Sequence, residues 1–158
     1  MRLMTDAIDA RGFFDPRYTC DVDNSSPELR WSDPPEGTRN FAVICDDPDA
    51  PGGLFTHWLV WAIPPEISHL PAGMPNQESL PNGIRQGINS AHKLGYSGPC
   101  PPPRDRAHRY VFTLFALDTK IDLHPRASRE ELLRAISPHI LATTDTTGRY
   151  GRHMQQSA

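Results

Sequence analysis

Three short stretches of the chain hold the residue types that could do chemistry. The first is Asp46-Asp47-Pro48-Asp49-Ala50-Pro51. Prolines bias the residues before them toward extended geometry, so Asp47 and Asp49, two apart, are expected to point to one side. Six residues after Pro51 comes His57, in Phe55-Thr56-His57-Trp58. It opens an apolar run whose Leu59 and Trp61 should share its face by period-two alternation. The third stretch runs from Gly95-Tyr96-Ser97-Gly98-Pro99-Cys100-Pro101 to His108-Arg109-Tyr110. There alternation sets imidazole and phenol on the same face of a strand. Gly98 permits close backbone approach, and the prolines stiffen the loop into a rigid rim.

Each fragment has an ordinary structural explanation. An Asp-Pro turn is most often a surface turn, a histidine at a strand mouth a hydrogen-bonded core-edge residue, and a proline run a loop crossing the end of a sheet. Together the fragments set carboxylates where they can orient His57 and His108 and raise their pKa values. Both imidazoles would then be donors to a ligand, along with the Tyr110 hydroxyl and loop N–H groups. Two other chemistries use the same residues. A hydrolase would take Ser97 or Cys100 as nucleophile, but Gly95-Tyr96-Ser97-Gly98-Pro99 is not a G-x-S-x-G elbow and Cys100 sits between prolines. A metal-dependent enzyme would use His57, His108 and an Asp, which suit zinc in type but lie scattered without a ligand-rich motif.

The elements that must position these residues are short strands. Phe41 to Cys45, His57 to Ile63 and His108 to Leu117 are apolar runs bounded by Pro, Gly or Asp clusters. The last of these carries one charge and reads as a central strand covered on both sides, the spine of the core. Arg2 to Ile8, Glu28 to Ser32, Ile84 to Ile88 and Thr143 to Tyr150 are weaker extended segments. One helix is expected: Ser128 and Glu131 form a capping box, and Leu132, Leu133, Ile136 and Ile140 recur at helical spacing. Pro138 should bend or end it. Many strands and one late helix give a mainly β fold, an antiparallel β-sandwich with a C-terminal peripheral helix.

Composition narrows the class. The 158 residues suit a single domain, 1–158. A net charge of -3 argues against non-specific nucleic-acid binding. No apolar run has signal-peptide or membrane-span length, so a cytoplasmic protein with no integral membrane association is expected. Cys20, Cys45 and Cys100, odd in number and widely spaced, are expected as reduced thiols. The 17 prolines favour short strands and ordered loops over long helices.

In order and spacing, Asp47-Pro48-Asp49-Ala50-Pro51, Phe55-x-His57-Trp58, Gly95-Tyr96-x-Gly98-Pro99-Cys100-Pro101-Pro102 and His108-Arg109-Tyr110-Val111-Phe112 resemble the signature of the phosphatidylethanolamine-binding (Raf kinase inhibitor-like) family, its bacterial branch above all. Ser26-Pro27-Glu28-Leu29-x-Trp31, Pro35-x-Gly37-Thr38 and Gly148-x-Tyr150 extend the resemblance over nearly the whole chain. It implies a β-sandwich with a small anion-accepting pocket at one end of the sheet, formed here by Asp47, Asp49, His57, Gly98, Pro101, His108 and Tyr110. It further implies a binder without catalytic residues, cofactor or metal, whose ligand carries a phosphate or carboxylate. A kinase or protease as protein partner and a homodimer also accord with it. Two departures stand out. Arg104-Asp105-Arg106 occupies a stretch that is shorter or glycine-containing in relatives, which bears on the rim, and Pro138 stands where glycine is more usual.

Overall fold

The computed structural model describes residues 1–152. Eight strands form two antiparallel sheets. β1 (Arg2–Met4), β2 (Leu29–Ser32) and β5 (His69–Leu70) make a small sheet in the order β1-β2-β5. β3 (Asn40–Asp47), β4 (Phe55–Ile63), β6 (Arg85–Gln86), β7 (His108–Leu117) and β8 (Ile140–Tyr150) make a larger one in the order β6-β4-β3-β7-β8. The mainly β, antiparallel fold read from the sequence is therefore present. No helix among the described residues is long and apolar enough to cross a membrane.

The large sheet is covered on both faces, which explains why β3 and β4 read as unbroken apolar runs. One face packs on the small sheet through Trp31, Phe41, Val43, Trp58, Val60, Phe112 and Leu114. The other packs on α1 (Arg129–Ile136), whose Leu132 and Ile136 meet Ala42, Ile44, Leu59 and Trp61. The capping box is formed: Ser128 Oγ accepts the Glu131 N–H and Glu131 accepts the Ser128 N–H. Pro138 lies beyond the helix, in a 3₁₀ turn over Ser137–His139, so it follows the helix end rather than bending the helix.

β7 differs from the expectation of two covered sides. Its inward residues from His108 to Leu114 are buried, while Arg109 is exposed and Val111, Thr113 and Phe115 are half-buried. The doubly buried spine is β3, which lies between β4 and β7. β8 starts earlier than the expected Thr143 and pairs with β7 from Leu117–Ile140 to His108–Tyr150.

The cysteine expectation is overturned. Cys20 and Cys100 form a disulfide, with Cα atoms 5.4 Å apart, and only Cys45 is a free, buried thiol. The bond joins segments 80 residues apart. The Tyr96 hydroxyl also donates to Tyr18 O at 2.6 Å, and the Cys20 N–H to Pro99 O at 3.0 Å. These links bring the chain around residues 18–24 against the Gly-Pro loop, a proximity that no local pattern in either segment announces.

Candidate functional site

Where β3, β4 and β7 end on one side, their terminal side chains meet the stitched loops around a cavity of about 320 Å³. Six of the seven residues singled out in the sequence line it: Asp47, His57, Gly98, Pro101, His108 and Tyr110. Asp49 does not. Alternation stops at Asp47, the last residue of β3, where its Oδ1 accepts the Asp49 N–H at 2.7 Å and turns the chain. Asp49 instead takes Arg109 in a two-point grip (Nη2 to Oδ1 2.8 Å, Nε to Oδ2 3.0 Å) and accepts its backbone N–H. That pairing holds the Asp49 carboxyl down at about 2, with the Arg109 hydrogen bond as the main cause.

His57 reaches the cavity by a route that alternation does not give. Cys45 pairs with Trp58 and Asp46 with Thr56, so His57 is the unmatched residue of a β-bulge. Its ring lies against Tyr110, edge to face at 5.3 Å between centroids, on the sandwich side of the sheet. Leu59 and Trp61, its expected companions, face α1. His108 and Tyr110 do share a face, their rings stacked at 6.3 Å. Two imidazoles and a phenol thus converge.

The two histidines are held in different ways. His108 Nδ1 lies 2.7 Å from Asp47 Oδ2 and its Nε2 lies 2.9 Å from Asp105 Oδ2. Carboxylates only accept, so both nitrogens donate and the ring is an imidazolium. Burial alone would lower its pKa, but the hydrogen bonds and charges of Asp47 and Asp105 together raise it. His57 has no carboxylate partner. Its Nδ1–H donates to the Ser97 carbonyl at 2.6 Å, and burial lowers its pKa despite that bond. The sequence expectation of two raised histidines therefore applies to His108 alone. Imidazole NMR titration is expected to show His108 losing its proton above the ordinary value of 6.5 and His57 below it.

Loop amides do not provide the expected donors. The Ser97 N–H donates to His57 O at 3.1 Å and the Gly98 N–H to Asn24 Oδ1 at 2.7 Å. A Cβ on Gly98 would sit 2.3 Å from Tyr18 O, so glycine is needed there for close approach rather than for an unusual φ. Among the described residues the Tyr110 hydroxyl and His57 Nε2 have no hydrogen-bond partner, while Ser97 Oγ accepts from Asn89 and keeps its own O–H.

Sequence reasoning missed several residues of the cavity. Lys93 is exposed on its wall and makes no ion pair among the described residues. Phe55, Ala50, Pro51 and the Cys20–Cys100 bridge add apolar lining. Asp46, next to Asp47, points to the helix side, where it pairs with Arg129 at 3.0 Å and accepts the Thr56 hydroxyl at 2.7 Å. Only the parity of β3 separates its structural role from the cavity position of Asp47.

Comparison with known proteins agrees with this architecture. A family model described as phosphatidylethanolamine-binding protein matches residues 4–151. A protein of Methanothermobacter thermautotrophicus known as a UPF0098 protein is 46% identical over 152 residues, covering 96% of this chain and 99% of its own length. The crystal structure of Escherichia coli YbcL, described as a new member of the mammalian PEBP family, superposes with a TM-score of 0.87 at 33% identity, covering 95% of this chain and 97% of that one. A phosphatidylethanolamine-binding protein homologue of Chlamydia trachomatis gives a TM-score of 0.83 at 34% identity, covering 94% and 95% of the two chains. Matched along almost its entire described length by both sequence and fold, the chain belongs to the phosphatidylethanolamine-binding protein family.

Proposed function

We propose that the cavity binds the anionic head group of a small ligand, a phosphoryl group first of all, and that the protein acts by binding rather than by catalysis. The observation that carries this reading is the convergence of a His108 imidazolium, the neutral ring of His57 and an unpartnered Tyr110 hydroxyl. Charge-assisted and hydroxyl donors of this kind suit phosphoryl oxygens. Lys93 adds a cation at the wall. The cavity exceeds the size of a bare anion, and Phe55, Pro51 and Pro101 offer an apolar wall to whatever the phosphoryl group is attached to. The family description names phosphatidylethanolamine, whose head group joins a phosphodiester to an ammonium, and the dimensions suit that class.

Binding is favoured over hydrolysis by the partners of the possible nucleophiles. Ser97 Oγ pairs with Asn89, while His57 is bonded to the Ser97 carbonyl and not to its hydroxyl, so no base is aligned on it. The Cys100 sulfur is bonded to Cys20. A metal is disfavoured because both nitrogens of His108 already donate to carboxylates. The disulfide favours an oxidising compartment, so the cytoplasmic location expected from the sequence is not part of this proposal.

Sulfate is a suitable probe because its charge is constant between pH 5.5 and 8.5. The ionisable groups around it are His57, His108, Asp47, Asp105, Tyr110 and Lys93. A bound dianion favours the imidazolium form of His57, which is neutral at pH 7, and His108 loses its charge as pH rises through its raised pKa. Calorimetric titration is expected to give sulfate affinity on the order of tenfold tighter at pH 5.5 than at pH 8.5. Phosphorylethanolamine should bind where ethanolamine does not. Equal sulfate affinity at the two pH values counts against the proposal.

A further inference from the structure

Asp105 is not among the residues that line the cavity, yet its carboxylate holds the one N–H of His108 that Asp47 leaves over. Any anion that bonds to the His108 imidazolium must therefore take the place of Asp105. We propose that Asp105 is a tethered occupant of the anion position at His108, displaced when a phosphoryl oxygen binds, and that it sets the affinity threshold of the site. The proposal rests on the anion-binding reading above and adds to it the residue that regulates access.

The two carboxylates on His108 are unequal in a way that decides which one yields. The Asp47 side chain is 4% exposed and that of Asp105 34%. Returning Asp105 to water costs little because it is already partly hydrated, whereas Asp47 would leave a buried charge behind. Displacement also needs little motion. The Asp105 N–H donates to Pro102 O at 3.1 Å, which closes the turn that carries it, so rotation of the side chain alone frees His108 Nε2. Arg104 and Arg106 flank Asp105, are exposed and make no ion pair among the described residues. The turn therefore stays positively charged on either side of the displaced carboxylate and does not repel the incoming anion.

A competitor tied to the protein weakens every anion by the same factor, the reciprocal of the fraction of time the position is open. Weakly held monoanions such as acetate then fall below useful affinity, while phosphoryl groups, with more acceptor oxygens, remain bound. The ratio of affinities between ligands is unchanged, but occupancy at a given concentration is confined to the anions that bind most tightly.

The test compares the full chain and its Asp105→Ala variant by calorimetric titration with inorganic phosphate and acetate, together with the carboxyl carbon NMR shift of Asp105 in the wild type. Phosphate is expected to bind the variant on the order of tenfold more tightly, and acetate to gain by a similar factor. Saturating phosphate should move the Asp105 resonance to that of a solvated aspartate, a change that general loss of negative charge would not produce. Wild-type binding of phosphate with equal or weaker binding by the variant, or an Asp105 resonance unmoved at saturation, overturns the gate and leaves the anion site standing. Failure of both proteins to bind phosphate overturns the anion site and the gate together.

Discussion

Replacing Asp47 with alanine is expected to lower folding stability by about 3–5 kcal/mol near pH 6, the usual cost of removing one partner from a buried ion pair. Asp47 and His108 are almost fully enclosed, with side-chain exposures of 4% and 6%, and their bond is 2.7 Å long. The same carboxylate turns the chain after β3 by accepting the Asp49 N–H. Alanine thus removes the counter-charge of a buried imidazolium and the acceptor of the turn in one step. Asp47→Asn keeps one acceptor oxygen and turns the other into an NH2 donor that faces either the His108 Nδ1–H or the Asp49 N–H, and it is expected to cost about 1–3 kcal/mol, the scale of a buried polar group left without its partner. The effect depends on pH with a definite sign. The folded pKa of His108 lies above its unfolded value, so the stability it contributes is complete below about 6.5 and is lost as pH rises through the folded value. The gap between wild type and Asp47→Ala should therefore narrow between pH 6 and pH 9. Urea unfolding at the two pH values measures it, and a gap under about 1 kcal/mol at pH 6 would show that the pair carries no buried charge.

What could be read from the sequence follows the range of the forces involved. β3, β4 and β7 were legible because strands buried on one or both faces must be apolar over eight to ten residues. The helix was legible because a capping box is a local bond pattern. β6 lies inside the extended segment expected at Ile84 to Ile88, whereas β5, two residues long, leaves no periodicity to read and exists through pairing with β2. The site divides in the same way. His108 and Tyr110 follow from alternation within one strand, and Asp47 from its place at a strand end. Asp49 was misplaced because alternation has no meaning past the last paired residue, and the face of His57 because a bulge is set by the partner strand. Asp105 sits in a turn, where spacing does not specify direction. The Cys20–Cys100 pairing depends on two loops meeting across 80 residues, which counting cysteines cannot foretell.

Converting Cys20 and Cys100 to alanine together is expected to cost about 2–4 kcal/mol, as is treating the wild type with a dithiol reductant. Closing a loop of this length removes much freedom from the unfolded chain, and the chain-entropy account alone allows about 4.5 kcal/mol. The bridge also lines the cavity and anchors Arg152, whose Nη2 lies 3.0 Å from Cys20 Sγ and 2.9 Å from Asp21 Oδ1. Loss of the bridge does not by itself free the 18–24 segment, because Tyr96 to Tyr18, Gly98 to Asn24 and Cys20 to Pro99 still hold it to the Gly-Pro loop. The native fold should consequently survive reduction, with the loss appearing in the denaturant midpoint and not in the circular dichroism of the folded protein. Guanidinium unfolding of the wild type, oxidised and reduced, beside the double variant separates the alternatives. A reduced wild type that matches the variant, both well below the oxidised protein, assigns the stabilisation to the covalent link. Identical midpoints for all three proteins would mean that the three hydrogen bonds alone fix this wall of the cavity, because the chain would then lose nothing when the link is cut.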